Sequence, residues 1–259
     1  MIYDKLPIVF LSTLASEKQG ATNSQIASYI LNHLDQMQNL GIREMAEECN
    51  VAISSISRFC KEIGLRDFAE LKEMLSTTNL YFQQDFDVST TKHSLNAYAK
   101  KINDCINQVA NSLDIKAIIE LCQDIKKYKR VAIFGLLKAG AVALNLQVDL
   151  LMLGKQVYTN ISYSQQIQYI LTANEDDLII IFSYTGSYFE YQDLRALTKK
   201  LMAPKIWMIA SSKEQTTPYV NRYILFDSFQ NQISHPYQLQ FIASVIGQEY
   251  AKIHKPNQD

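Results

Sequence analysis

A group of hydroxyl side chains follows one of the apolar runs of the sequence. The β-prone residues that end at Phe182 lead directly into Ser183-Tyr184-Thr185-Gly186-Ser187, and a helical pattern resumes near Tyr188. Hydroxyls and free N–H groups at the start of a helix are suited to holding an anion such as a phosphate group. Ordinary turn and capping chemistry explains the same residues. We therefore expect either an anion-binding loop or a capped turn here.

A second candidate for chemistry lies in two short helical patterns separated by a tight turn. Apolar spacing predicts helices over Ile42–Cys49 and Ile53–Ile63, with Asn50-Val51-Ala52 between them. This is the outline of a helix-turn-helix, whose second helix enters the major groove of DNA. The predicted DNA-facing residues are Ser54, Ser55 and Ser57 toward base edges, with Arg58 and Lys61 toward phosphates. A plain helical bundle is the alternative that short helices leave open.

The elements that must position these residues change in kind along the chain. Residues 1–78 have helical periodicity throughout, and the polar stretch 79–93 is typical of a linker. From residue 94 onward, helix-length segments alternate with five compact apolar runs, RVAIFG, QVYTN, DDLIIIFSY, PKIWMIAS and RYILFD. Such alternation predicts a parallel sheet covered by helices. The expected fold is therefore an all-α domain followed by an α/β domain.

Composition restricts the class of protein without naming a partner. The 259 residues are 47% hydrophobic and 20% charged, with a formal net charge of −1, as expected for a cytoplasmic globular protein. Nothing in the sequence predicts a membrane span or a signal peptide. The four cysteines are scattered, so we expect buried thiols rather than a metal site or disulfides. We expect no cofactor.

The segment from Ile42 to Leu75, IREMAEECNVAISSISRFCKEIGLRDFAELKEML, resembles the N-terminal domain of RpiR/MurR-type bacterial transcriptional regulators. Arg58-Phe59, Gly64 and Phe68 match the pattern of that family. Ala52 departs from it, because the family usually has a serine there that caps the second helix. The resemblance implies a regulator of carbohydrate metabolism genes that binds operator DNA. It also implies a C-terminal SIS (sugar isomerase) domain, an α/β sandwich that binds phosphorylated sugars.

The SIS resemblance identifies residues of a sugar-phosphate site. Its signature S-x-S-G-x-T is matched by Ser183, Thr185 and Gly186, while Tyr188 occupies the last hydroxyl position. A second signature, G-x-G-x-S, is poorly matched, because Leu137 and Ala139 replace its second glycine and its serine. The residues that the resemblance implies for binding are Gly135, Lys138, Ser183, Thr185, Gly186 and Ser187.

Catalysis is not predicted. Sugar-phosphate isomerisation needs a positioned acid or base, and His235 is the histidine nearest such a role in the α/β half. No acid–base pair accompanies it, so the prediction is a regulator rather than an enzyme. The alternatives are an SIS isomerase with an accessory helical domain, and a regulator whose sugar site is vestigial. We also expect a homodimer or tetramer built through the apolar helix Pro236–His254.

Overall fold

The computed structural model describes residues 6–76, 91–191, 198–211, 217–228 and 234–254. They belong to two units, the first comprising the residues up to 76, residues 160–169 and the described part of 189–198. The remaining residues form the second unit. The predicted domains 1–78 and 94–259 stay a prediction, and most of the linker predicted at 79–93 lies outside the described residues.

The N-terminal part of the first unit consists of short helices. They are α1 Leu6–Ser16, α2 Thr22–Asn32, a 3-10 turn Leu34–Gln36, α3 Ile42–Glu48, α4 Ile53–Glu62 and α5 Phe68–Ser76. Their apolar faces meet in one core, in which Phe10, Ile30 and Phe59 are almost completely buried. The predicted helical character of this half is confirmed.

Two residues with positive φ end the helices on either side of the turn that separates α3 from α4. Asn50, at φ 51°, follows α3, and the N–H of Val51 donates to the carbonyl of Ala46 at 2.9 Å. Gly64, at φ 89°, follows α4, and the N–H of Leu65 donates to the carbonyl of Cys60 at 2.8 Å. Both are Schellman motifs, which asparagine and glycine permit because they tolerate left-handed backbone. The turn between α3 and α4 is therefore stabilised locally.

The later elements alternate between helix and strand. In chain order they are α6 Thr91–Ser112, α7 Ile115–Lys127, β1 Arg130–Gly135, α8 Lys138–Met152, α9 Tyr163–Thr172, β2 Asp177–Phe182, a 3-10 turn Tyr188–Tyr191, α10 Thr198–Leu201, β3 Lys205–Ala210, β4 Arg222–Leu225 and α11 His235–His254. The strands form a parallel sheet in the order β1-β2-β3-β4. Every residue of β2 is buried, as expected for a central parallel strand. The predicted α/β architecture is confirmed.

Two local expectations are corrected by the structure. The run QVYTN forms only an isolated bridge, at Tyr158 beside Ala132, because the turn at Gly154 precedes it and polar residues follow it. The linker predicted at 79–93 ends earlier, because helix α6 already begins at Thr91. The helix expected to begin near Tyr188 is described only as a 3-10 turn, Tyr188–Tyr191, and its continuation over residues 192–197 lies outside the described residues.

The last correction concerns the helix expected to mediate oligomerisation. The apolar residues of α11 that we assigned to an oligomer interface are Leu239, Ile242, Ala243, Ile246 and Tyr250, and each is at most 1% exposed in the core of its own subunit. They pack beside residues of α7 and α8 in that core. The expectation that these five residues form an oligomer interface is therefore wrong, and the homodimer or tetramer itself stays a prediction.

Within the described ranges, no helix is both long and apolar enough to span a membrane.

Candidate functional sites

Helix α4 has one buried side and one exposed side. Ile56, Phe59 and Cys60 are at most 1% exposed and attach the helix to the core. The predicted DNA-facing residues lie on the other side, with Ser54, Arg58 and Lys61 exposed and Ser55 and Ser57 half-buried. This amphipathic division follows from apolar residues at a spacing of three and four. All five predicted residues therefore share the solvent-facing side, and their contact with DNA stays a prediction.

The positive charges of α4 are uncommitted within the described part of the chain. No ion pair involves Arg58 or Lys61 among those residues, and the Arg58 guanidinium only approaches the Ser55 hydroxyl at 3.5 Å. By contrast, Arg66 pairs with Glu70 at 3.2 Å, and the Lys72 ammonium donates to the Leu40 carbonyl at 3.0 Å. Side chains that are not held by protein acceptors can bind phosphate groups without breaking an existing contact.

The first residue of α4 is a feature that our sequence reasoning missed. Ile53 is 44% exposed, and it borders a shallow hollow formed by α3 and the turn, together with Arg43 and Glu47. The preceding Ala52 is the N-cap and has no side-chain hydrogen bond to offer. No signal in the sequence indicated this exposure, because Ile53 stands at helical spacing from Ile56 and Cys60, which are both buried.

The hydroxyl-rich loop after β2 is a tight turn. The N–H of Ser183 continues the sheet by donating to the Ile209 carbonyl at 3.0 Å, and the N–H of Gly186 donates to the Ser183 carbonyl at 2.8 Å. Gly186 has φ 76°, which glycine adopts without strain. Both the N–H and the hydroxyl of Ser211 donate to the Tyr184 carbonyl, at 2.9 and 2.8 Å. The backbone of this loop is thus held firmly by the next strand.

The hydroxyls of the loop differ in exposure. Thr185 is exposed, Ser183 is half-buried and Ser187 is 1% exposed. The Thr185 and Ser187 hydroxyl oxygens lie 2.6 Å apart and share a hydrogen bond. The loop therefore presents Ser183 and Thr185 outward, while Ser187 supports Thr185 from inside.

The loop after β1 lies at the same edge of the sheet. Gly135 pairs in register with Phe182, so the chain leaves both strands side by side, and Lys138 is the exposed first residue of α8. A Cβ on Gly135 would lie 2.6 Å from the backbone of Ala139, so this glycine permits close packing of strand and helix. The carboxyl edge of a parallel sheet is where open α/β folds bind ligands. The structure thus brings the two predicted halves of the sugar-phosphate site together.

Leu137 adopts an unusual backbone conformation between these elements. As the N-cap of α8, it has φ 48° and ψ −109°, a region that is costly for a residue with a Cβ. The SIS pattern has glycine at this position. Leu137 therefore has positive φ, which glycine adopts without strain, although the residue here is a leucine.

An aromatic and histidine cluster lies beside the hydroxyl loop. The Tyr184 and His235 rings are in contact, with centroids 4.1 Å apart and a tilt of 31° between their planes, and the Tyr184 hydroxyl shares a hydrogen bond with the Ser228 hydroxyl. Burial, followed by the positive charge of Lys138, lowers the pKa of His235 to about 4. Its Nε2 has no hydrogen-bond partner within the described ranges. At neutral pH the ring is uncharged, and sequence reasoning did not predict its contact with Tyr184.

The cysteines have no part in these sites. All four are free and buried, as predicted. Burial raises the pKa of Cys60 to about 12 and that of Cys122 to about 12, so both thiols stay protonated at neutral pH.

Fold and sites together define a chain with a helix-turn-helix domain and a parallel α/β domain whose candidate ligand loops lie at the carboxyl edge of the sheet. Residues 8–79 match the helix-turn-helix domain of the rpiR family. This match covers the N-terminal helical domain and confirms the resemblance seen in the sequence. An HTH-type transcriptional regulator of Haemophilus influenzae is 26% identical over 229 residues, covering 83% of this chain and 78% of that protein.

Two solved structures support the fold. The Vibrio vulnificus NanR protein complexed with ManNAc-6P has a TM-score of 0.52 at 12% identity, covering 96% of this chain and 92% of that chain. The sugar isomerase domain of an RpiR transcription factor from Sphaerobacter thermophilus has a TM-score of 0.50 at 18% identity, covering 62% of this chain and 90% of that domain. The second unit thus has the SIS type of fold, as predicted.

Proposed function

We propose that this protein is a cytoplasmic DNA-binding transcriptional regulator of carbohydrate metabolism genes. The observation that supports this proposal most directly is the exposed side of α4, the second helix of an rpiR-type helix-turn-helix. That side presents hydroxyls together with Arg58 and Lys61, which form no ion pair within the described part of the chain. In this fold the second helix lies in the major groove, with charged side chains at phosphates and short polar ones at base edges. The relatives named as regulators support the same class.

The proposed effector is a phosphorylated sugar bound at the carboxyl edge of the sheet. Its phosphate would accept hydrogen bonds from Ser183 and Thr185, with Ser187 holding Thr185 in place and Lys138 supplying positive charge. Gly135 and Gly186 would permit the close turns on either side. A structural neighbour of this chain has ManNAc-6P bound, which makes an amino-sugar phosphate the first ligand to test.

A regulatory role is favoured over isomerase chemistry. General acid–base catalysis works best with a pKa near the working pH, whereas burial and Lys138 lower the pKa of His235 to about 4. Because its ring packs against that of Tyr184, this histidine is placed to shape the site rather than to exchange protons. The relatives named as transcriptional regulators agree with this assignment.

The protein would act as a homodimer through α8, in place of the interface that we expected at α11. The exposed side of α8 carries a stripe of large apolar residues, Leu144, Val148, Leu151 and Met152, with exposures of 40, 56, 58 and 81%. Contiguous exposed apolar surface of this kind marks interaction sites. The helix has fifteen residues and is about 22 Å long, comparable to the width of a standard interface burying about 800 Å² per partner. A two-fold axis would pair the stripe with itself and present two α4 helices to a palindromic operator.

Ligand binding is tested by calorimetry with N-acetylmannosamine 6-phosphate, other hexose and amino-sugar phosphates, and inorganic phosphate. Hydrogen bonds to a charged group contribute about 1.5–3 kcal/mol each, so the double variant Ser183→Ala/Thr185→Ala should weaken binding at least a hundredfold. DNA binding without ligand should be unchanged in that variant. No heat from any sugar phosphate at millimolar concentration would refute the effector site and leave the DNA-binding proposal standing.

The dimer is tested by sedimentation at micromolar concentration. Val148→Lys places a charge within the proposed interface and should produce monomers, because a buried unpaired charge is costly. The matched control is Ile119→Lys, which changes another exposed apolar residue, 37% exposed on α7, outside the stripe. A wild-type monomer, or a Val148→Lys dimer of unchanged stability, would refute α8 as the interface.

A further inference from the structure

The first turn of α4 exposes an apolar side chain among polar ones. Ile53 is 44% exposed, whereas Ile56 and Phe59 of the same helix are at most 1% exposed. The adjacent Ser54 is exposed as well and Ser57, one turn along the helix, is half-buried; the Ser57 hydroxyl donates to the Ile53 backbone carbonyl at 3.4 Å. The core of the domain thus makes little use of this isoleucine, which lies on the surface proposed to face DNA.

The position of Ile53 in the helix places it where bases are read. In a docked helix-turn-helix, the N-terminal residues of the second helix contact base edges. Ile53 is the first residue of α4, and helical side chains are tilted toward the N-terminus. The hollow beside it is lined by Arg43 and Glu47 of α3 and by the turn, so Ile53 forms part of a continuous surface between the two helices.

The chemistry of the side chain selects one base. The thymine C5-methyl group is the apolar feature that the major groove offers, whereas guanine, adenine and cytosine present hydrogen-bonding groups there. Isoleucine can contact a methyl group but neither donates nor accepts a hydrogen bond. Serine hydroxyls, such as that of Ser54, can pair with several bases and discriminate less.

We propose that Ile53 contacts a thymine methyl group in each operator half-site and is a specificity-determining residue of the DNA interface. This inference rests on the proposed function, since it requires that α4 enters the major groove. Ile53 is the most exposed large apolar residue of α4, and it would make an apolar contact that the polar residues Ser54 and Ser55 cannot make.

The test begins by selecting duplexes that bind the full-length protein from a random-sequence pool. Each thymine of a selected duplex is then replaced singly by deoxyuridine, which removes only the methyl group. Losing contact with one methyl group should weaken binding about fourfold, and losing it in both half-sites about fifteenfold. One symmetry-related pair of thymines should show this penalty, and 5-methylcytosine should bind better than cytosine at the same positions.

The variant Ile53→Ala should abolish the difference between thymine and deoxyuridine at that pair of positions, while Ile53→Val should retain part of it. Circular dichroism and a thermal midpoint confirm that each variant is folded. If Ile53→Ala keeps the full deoxyuridine penalty at every position, the inference is overturned. If the pool yields no enriched sequence, the proposed DNA-binding function fails instead, so the two failures are distinguishable.

Discussion

The charges of α4 yield a prediction with a calculable magnitude. Arg58 and Lys61 are exposed and form no ion pair within the described part of the chain. If each neutralises one phosphate, each contributes about 0.9 to the slope of log affinity against log salt concentration. In the proposed dimer, Arg58→Ala removes two contacts and lowers the slope by about 1.8. The fourfold rise from 50 to 200 mM salt should then weaken wild-type binding about twelvefold more than variant binding.

Fluorescence anisotropy with a labelled duplex, titrated at several salt concentrations, measures this slope directly. Lys116→Ala is the matched control, because it removes one exposed positive charge from α7, in the other unit. The control should keep the wild-type slope, whereas Arg58→Ala/Lys61→Ala should lower it by about 3.6. A folded Arg58→Ala protein with the wild-type slope would show that Arg58 braces the domain and does not contact phosphate.

Three further predictions concern stability. Ala52 already has the extended backbone of an N-cap, at φ −71° and ψ 148°. The variant Ala52→Ser would add a capping hydroxyl and should stabilise the helical unit by about 1 kcal/mol. An unchanged thermal midpoint would contradict this prediction. Gly135→Ala should cost about 1–3 kcal/mol or more, because the new Cβ would lie 2.6 Å from the Ala139 backbone. In the control Gly247→Ala, the new Cβ would lie 3.6 Å from the Asp149 Cβ, which is an ordinary contact. Its free energy of unfolding, measured by chemical denaturation, should therefore stay close to that of the wild type. The pKa of His235 is lowered from 6.5 to about 4, so the unfolded chain takes up a proton at a higher pH than the folded chain does. The free energy of unfolding should therefore fall by up to roughly 3 kcal/mol between pH 6.5 and pH 4. The variant His235→Phe should reduce this fall, and parallel curves of unfolding free energy against pH for the two proteins would refute the assignment.

Local chemistry in the sequence was sufficient to predict the helix-turn-helix. Apolar spacing indicates which side of α4 is buried, and Gly64 marks its end through the Schellman motif observed in the structure. The sequence also predicts the parallel sheet, because the four strand segments are continuous apolar runs bounded by polar residues. These features depend on residues that are close together in the chain, where backbone preferences and side-chain periodicity act directly.

Contacts between distant residues could not be predicted in this way. The contact between the His235 and Tyr184 rings requires α11 to begin beside the loop after β2. The low pKa of His235 likewise depends on tertiary structure, because its causes are burial and the charge of Lys138. The hydrogen bond between Thr185 and Ser187 depends on the tight turn at Gly186, which brings the two side chains together.

The choice of buried face in the apolar helices was also made by tertiary structure. Sequence reasoning assigned the apolar side of α11 to a partner subunit, yet Leu239 and Ile246 lie in the core of their own subunit. In α8, Leu146 and Leu150 are buried while Val148 and Leu151 are exposed, although all four are apolar. A helix with apolar residues on several sides carries no internal signal of which side its neighbours will cover. Only the packing of α8 against β1 and α11 decides that question, because burial depends on the surfaces that neighbouring elements present.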